Sequence, residues 1–295
     1  MQRIAFIMNP VSGTKNKAAT WAYIEKVFGL SDDYELTMYT TRCAGDGYEQ
    51  ALYFAKKEFD IVVAVGGDGT VNEVARGLMN SKTALGIIPM GSGNGLARHL
   101  HIPMNYKKAV EALKSGKTQV IDAGEINGKI FFVTAGVGFD ALIGNLFNAK
   151  GKRGLFNYAW LSLKKIVRYR PRKYSVEIDG KRFERKAYLI TFANASQWGN
   201  NVYIAPLAHV GDGWLDVVIV KGHAYLNILS IFIRLFTKSL HKARMVESFR
   251  GKEIKIIRAK EEYVHFDGES AVMGQEIEVK VKSAVLTIIA PALIQ

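Results

Sequence analysis

Apolar positions recur along this chain in two rhythms, and the change between them falls near residue 120. In the first part, short unbroken apolar runs alternate with stretches at helical spacing. Arg3–Met8, Ile61–Val65 and Ala84–Met90 are β-branched or aliphatic runs of the length expected for buried parallel strands. Each enters a loop of small residues and leaves it through an amphipathic stretch. The first is followed by Ala18, Trp21, Ala22, Ile24, Val27 and Phe28, and the second by Val71, Val74, Ala75, Leu78 and Met79; Leu96–Leu100 follow the third. Repeated strand–loop–helix units predict a doubly wound α/β domain over residues 1–120.

Beyond that point the pattern shortens. Asn127-Gly128 and Asp179-Gly180 each separate two strand-like runs, as tight hairpins do. Tyr188–Ala193, Trp214–Val220, Glu253–Arg258, Glu276–Val281 and Val285–Ala290 continue the strands, with helical insertions near 150–169 and 223–241. Residues 121–295 therefore read as an antiparallel β-rich domain, its last residues free to return to the first domain.

The loops of the first domain carry the candidate chemistry. They are Asn9-Pro10-Val11-Ser12-Gly13-Thr14, Gly66-Gly67-Asp68-Gly69-Thr70 and Gly91-Ser92-Gly93-Asn94-Gly95. Three such loops at three strand C-termini would share one edge of a parallel sheet, where doubly wound folds bind ligands. Glycine removes Cβ atoms so that backbone N–H groups can approach an anion, and a following helix N-terminus favours negative charge. Asp68-Gly69 taken alone would also suit a hairpin, but the helical spacing after it argues against one. None of the loops is a standard nucleotide motif. Leu96 stands where a dinucleotide fingerprint needs its third Gly, and Glu111 where a P-loop ending at Lys117-Thr118 needs its first.

Composition narrows the classes. At 295 residues, 48% apolar and 23% charged, the chain can bury a sizeable core and is not disordered in bulk. Cys43 is its single cysteine, so no intrachain disulfide forms and a reducing cytoplasm is expected. The longest apolar stretch, Tyr225–Phe236, is broken by Asn227, Ser230 and Arg234 and falls short of the roughly 20 residues of a spanning helix. A net charge of +13 points to an anionic partner: an acidic membrane surface, a phosphate-bearing substrate or nucleic acid. Nine Lys and Arg between Lys150 and Lys173 alternate with aromatic and aliphatic residues, which suits either a membrane interface or a solvated helix face. The stretch Ala224–Lys242 is apolar almost all round, so a helix buried in the second domain is at least as good a reading of it.

Taken together, Asn9-Pro10 with Ser12-Gly13, GGDGT at 66–70 with Asn72-Glu73, and Pro89-x-Gly91-Ser92-x-Asn94-x-x-Ala97-Arg98 resemble the diacylglycerol kinase catalytic family, which includes bacterial lipid kinases, sphingosine kinases and ceramide kinases. GGDG is shared with NAD kinases and phosphofructokinases; the third block favours the lipid kinases. The resemblance implies an α/β nucleotide domain joined to a β-sandwich. It also implies ATP- and Mg2+-dependent phosphorylation of a hydroxyl on a membrane lipid. ATP would lie on Asn9, Pro10, Val11, Ser12, Gly13, Thr40, Gly66, Gly67, Asp68, Gly69, Thr70, Val71, Asn72 and Ser92, with Asn94, Arg98 and Asp140 toward the acceptor. A structural Mg2+ would take the Asp212 side chain with the His209 and Trp214 carbonyls, a set of oxygen ligands that suits this ion. The base is Glu269, in Asp267-Gly268-Glu269, in one branch of the family and the equivalent of Asp68 in another; Glu269 is preferred here.

Two departures concern the acceptor. Gly95 stands where diacylglycerol kinases usually carry Asp, and Asp140 matches an aspartate that binds the head group in sphingosine kinases, so the identity of the lipid stays open. Peripheral contact with an anionic membrane is expected, nucleic acid is disfavoured, and a homodimer is compatible. The rival readings are an NAD kinase-like small-molecule kinase and a basic membrane- or nucleic-acid-binding protein on an inactive kinase fold. Intact Asp68, Asn94 and Glu269 argue against the second.

Overall fold

The computed structural model describes residues 1–13, 16–150, 165, 169–222 and 228–291. It divides into two compact units, Met1–Ile121 with Ala284–Gln295, and Asp122–Ser283. In chain order the first holds β1 (Gln2–Met8), α1 (Lys17–Phe28), β2 (Tyr34–Thr40), α2 (Asp46–Lys56), β3 (Ile61–Gly66), α3 (Asp68–Leu78), β4 (Ala84–Pro89), α4 (Gly95–His99) and α5 (Tyr106–Ser115). β5 (Lys117–Ile126) leads out of it. The second holds β6 (Lys129–Phe131), β7 (Thr134–Gly138), α6 (Phe139–Lys150), β8 (Arg172–Ile178), β9 (Lys181–Ala193), β10 (Leu215–Lys221), α7 (Ile228–Phe236), β11 (Val246–Gly251), β12 (Glu253–Arg258), β13 (Glu262–Phe266), β14 (Glu269–Met273) and most of β15 (Glu276–Ala290).

In the first unit the order β2-β1-β3-β4 is parallel throughout, and Ile288 of β15 adds a parallel pair to Leu85. Every residue of β3 and β4 is buried, which explains why these strands read as unbroken apolar runs. Helices cover them with one face each; α3 buries Val71, Val74, Ala75 and Leu78. Fully burying an Ile, Leu or Phe such as Ile4, Phe6 or Leu78 contributes about 1.5–3 kcal/mol each. The register has one consequence for function. Met8 pairs with Thr40 and Val65, and Gly66 pairs with Pro89, so four strands end level and their following loops share one sheet edge.

The second unit is antiparallel. β9 is long because it serves two neighbourhoods: its first half pairs with β8, and its second half lies between β7 and β10. β12 runs between β8 and β15, β13 between β7 and β14, and β11 pairs with β10. Inward-facing Val176, Ile190, Phe192, Val217, Ile256, Val264 and Ile277 form one core. Asn127-Gly128, Asp179-Gly180 and Asp267-Gly268 all have positive φ at both positions, the type I′ geometry that suits the twist of a two-residue hairpin.

The structure corrects some expectations. Glu276–Val281 and Val285–Ala290 are not two strands but one, β15, with Ala284 at φ +54° inside it. The polar and small residues Lys282-Ser283-Ala284 imitate a turn in the sequence; here they mark the passage from one unit to the other. A helix that was not expected, α6, follows Gly138 directly at Phe139, while the helical insertion expected near 150–169 and most of the 150–173 basic stretch lie outside the described residues. Among the described residues, no helix is long and apolar enough to cross a membrane.

Candidate active site

The three loops at the level edge of the first unit are cross-braced, and the braces are the polar residues singled out in the sequence. Asp68 opens α3, and its carboxylate reaches to the third loop, where it accepts the Asn94 N–H at 2.8 Å and the Gly95 N–H at 2.7 Å, one on each oxygen. Asn94, buried at φ +52°, closes its own loop, accepting from the Gly91 N–H at 3.1 Å and donating to the Gly91 carbonyl at 2.8 Å. Asn9 ties in the first loop through its side-chain amide to Thr70 Oγ1 at 3.1 Å, and it accepts the Val11 N–H at 3.0 Å. Ser12 Oγ donates to the Asn9 carbonyl at 2.9 Å.

Glycines make this density possible. A Cβ on Gly13, at φ +59°, would lie 1.9 Å from the Met90 carbonyl oxygen, and one on Gly91 would lie 2.7 Å from Gly67 Cα. Gly69 is different. Its Cβ would meet nothing within 4 Å among the described residues, so no packing contact there requires glycine. α3 also begins at N-cap Gly67, which has no side chain of its own to cap it. The predicted nucleotide residues thus sort by exposure. Ser12, Thr70 and Val71 are buried, Asn9, Asp68 and Asn72 half-buried, and Pro10, Val11, Thr40, Gly69 and Ser92 face solvent. Arg98 Nε donates to the Gly93 carbonyl at 2.9 Å, which steadies the third loop. Glu73 extends the bracing: its carboxylate accepts the Gly45 and Gly47 N–H groups at 2.8 and 3.1 Å, at the start of α2. That contact spans 28 residues and left no local trace in the sequence.

In the second unit Glu269 is exposed on a rigid hairpin. It pairs with Phe266 across the Asp267-Gly268 turn. The Asp267 carboxylate accepts the backbone N–H groups of Phe132, Val133 and Thr134 at 2.7, 2.9 and 3.1 Å, which pins the turn. Asp267 thus anchors the hairpin and Glu269 projects from it. Asp140 is 4% exposed, and its Oδ2 lies 2.9 Å from His265 Nε2 and accepts the Thr191 hydroxyl at 3.0 Å; its Oδ1 accepts the Ala141 N–H at 2.8 Å. His265 was not anticipated. The available signal was a polar residue at an inward position of the strand Tyr263-Val264-His265-Phe266.

The Asp212 turn is occupied by a cation of the chain itself. One carboxylate oxygen is ion-paired with Arg250, and the other accepts the Trp214 N–H at 3.1 Å. Arg250 also reaches Asp216 at 3.9 Å and lies over the Trp214 ring. Burial pushes the Asp216 carboxyl up to about 6, with Asp212 adding and Arg250 opposing. His209 turns its ring to the Gly211 N–H at 3.2 Å. Among the described residues no group of three His, Cys, Asp or Glu side chains is placed to hold a metal. The expected Mg2+ set, the Asp212 side chain with the His209 and Trp214 carbonyls, would have to compete with Arg250 for that carboxylate. Chelation by EDTA is accordingly expected to leave the melting temperature unchanged. Arg250→Met, which removes a half-exposed ion pair, should destabilise by about 0–1 kcal/mol and become Mg2+-responsive. Thermal melts of both proteins with and without EDTA check this.

The chain is similar to known proteins over most of its length. A family signature described as "Diacylglycerol kinase catalytic domain" matches residues 3–126, and one described as "YegS C-terminal NAD kinase beta sandwich-like domain" matches residues 133–290. The diacylglycerol kinase of Bacillus subtilis (strain 168) is 31% identical over 278 residues, 91% of this chain and 90% of its own. In fold, the chain is similar to a solved diacylglycerol kinase from Bacillus anthracis str. Sterne, with TM-score 0.80 and 22% identity over 100% of this chain and 98% of the other. An NAD kinase from Archaeoglobus fulgidus, solved in complex with ATP, is more distant: TM-score 0.53 and 13% identity over 99% and 94%. A match at this level over nine-tenths of both sequences, with each half of the chain under its own signature, is decisive for kinship: the chain belongs to the diacylglycerol kinase catalytic-domain family, a family of lipid kinases.

Proposed function

We propose that this protein transfers the γ-phosphoryl group of ATP to the hydroxyl of a membrane lipid with an uncharged head group, diacylglycerol or a close relative. The observation that carries the reading is the combination at α3: a helix start with glycine at its N-cap, a glycine with open space over it among the described residues, and a neighbouring loop fixed by Asp68. A helix start of this kind, whose N-cap has no side chain to cover the first-turn amides, suits a polyphosphate. Asn9–Gly13, Thr40, Gly66–Asn72 and Ser92 would hold the nucleotide. Mg2+, carried on the nucleotide, would supply charge neutralisation of the phosphates.

Glu269 is assigned as the general base. It takes the proton of the acceptor hydroxyl as that oxygen bonds to the γ-phosphorus and the bond from phosphorus to the ADP oxygen breaks. Asp140 favours the neutral acceptor. A carboxylate 4% exposed and already engaged by His265 and Thr191 is poorly placed to receive an ammonium head group. Arg98 and Asn94 are the residues of the first unit assigned to the acceptor.

Gly69→Ala separates the phosphate role of this loop from its structural role. Alanine is favoured over glycine in a helix by about 0.5–1 kcal/mol, and its methyl group meets no atom of the described residues, so stability should hold or rise slightly. The KM for ATP should rise about 10-fold, equivalent to about 1.4 kcal/mol of binding. Steady-state kinetics beside a thermal melt check both. The acceptor is tested by incubating the protein with ATP and a lipid panel and identifying products by mass spectrometry. Phosphorylated neutral-head-group lipids are expected; products from sphingoid bases alone would reverse the acceptor assignment.

A further inference from the structure

The helix α7 is two-faced in a way its sequence conceals. Ile231 and Leu235 pack into a core cluster with Phe139, Ile143, Tyr188 and Leu240. On the other side Leu229 is 70% exposed, Phe232 50%, Ile233 51% and Phe236 37%. These four stand at i, i+3, i+4 and i+7, so they form one continuous stripe, and the Phe232 and Phe236 rings lie 5.0 Å apart. A contiguous stripe of large apolar residues in water marks an interaction surface rather than ordinary scatter.

The surrounding charge says what the stripe meets. From Gly222 to Val246 the chain carries Arg234, Lys238, Lys242 and Arg244 and no Asp or Glu. Lys238, Lys242 and Arg244 are exposed. Lys238 is held over the Tyr203 ring at 4.6 Å, and Arg234 donates to Ser230 Oγ at 3.3 Å and to the Ser239 carbonyl at 3.2 Å. A second copy of this chain would bring the same cations against each other if it docked face to face, which is repulsive. An anionic bilayer satisfies both parts at once: acyl chains for the stripe, head groups for the cations.

We propose that α7 and the basic turn after it form the membrane-docking element, with Leu229, Phe232, Ile233 and Phe236 entering the interfacial layer and Lys238, Lys242 and Arg244 at the head groups. This rests on the lipid-kinase reading and names the surface through which the enzyme reaches its substrate. The nine described residues of α7 suit a helix that lies in the interface. Binding should weaken with salt through screening of the cations, but not vanish, because apolar burial is not screened.

The test is co-sedimentation of the full chain with vesicles of equimolar phosphatidylcholine and phosphatidylglycerol, comparing wild type with Leu229→Ser/Phe232→Ser/Ile233→Ser. The replaced side chains are all exposed, so the variant should melt with wild type and phosphorylate lipid in detergent micelles at the wild-type rate, where docking is not required. Its vesicle partition coefficient should fall about 10-fold or more, since interfacial binding scales with buried apolar area. Equal partitioning of the two proteins overturns the proposal. So does a wild-type dimer that the same substitutions convert to monomer in sedimentation velocity without lipid, which would assign the stripe to a second copy. Absence of any lipid product from wild type in micelles would instead overturn the lipid-kinase reading, a separate failure from that of the docking surface.

Discussion

Glu269→Gln is expected to lower kcat by about 10²-fold or more while leaving the KM for ATP near its wild-type value, since a positioned general base contributes on this scale. Glutamine keeps the volume and removes the basic oxygen. The position supports a clean result. Glu269 is exposed on β14, and the turn before it is fixed by three hydrogen bonds from backbone amides to Asp267, not by Glu269 itself. The substitution should therefore leave the hairpin in place, with no change in melting temperature. Steady-state kinetics with varied ATP and saturating lipid give both constants. A Glu269→Gln enzyme with wild-type kcat would remove the base from this residue.

Asp68→Asn should be more severe, and for a different reason. Both Asp68 oxygens accept backbone N–H groups, from Asn94 and Gly95. Asparagine offers one acceptor oxygen and turns an NH2 group toward the other amide, so a donor faces a donor. Losing a hydrogen bond to a charged group costs about 1.5–3 kcal/mol, and the third loop should detach from α3. The expected result is a fall in kcat/KM of about 10²-fold or more together with a raised KM for ATP and a lower melting temperature, because preorganised contacts to the phosphates are lost with the loop. On sequence alone this substitution reads as removing charge without disturbing the fold; the two amide contacts change that expectation. If Asp68→Asn loses only kcat, with ATP affinity and stability intact, Asp68 is acting on the reacting atoms and the structural account of it is wrong.

The legibility of this protein follows the range of its interactions. β1, β3 and β4 were readable because strands buried on both faces must be apolar throughout, and α3 because its one buried stripe repeats at helical spacing. The hairpins at Asn127-Gly128 and Asp179-Gly180 were readable because type I′ turns demand residues that tolerate positive φ. What was not readable depends on partners far along the chain. Asp68 meets Asn94 across 26 residues, Asp212 meets Arg250 across 38, and Asp140 meets His265 across 125. No local spacing encodes such pairs; the head-group role of Asp140 and the metal role of Asp212 came from the family resemblance, which carries no such contact. The two faces of α7 were hidden for the opposite reason: Leu, Ile and Phe surround it, and only burial distinguishes Ile231 from Phe232.

The measurement that bears most directly on the activity is phosphoryl transfer from radiolabelled ATP by the purified protein, with diacylglycerol in mixed micelles and NAD offered in parallel. Label is expected in the lipid phase, dependent on Glu269, with none in NADP. Label in NADP, or no transfer to any lipid while ATP is bound, would contradict the assignment of this chain as a lipid kinase.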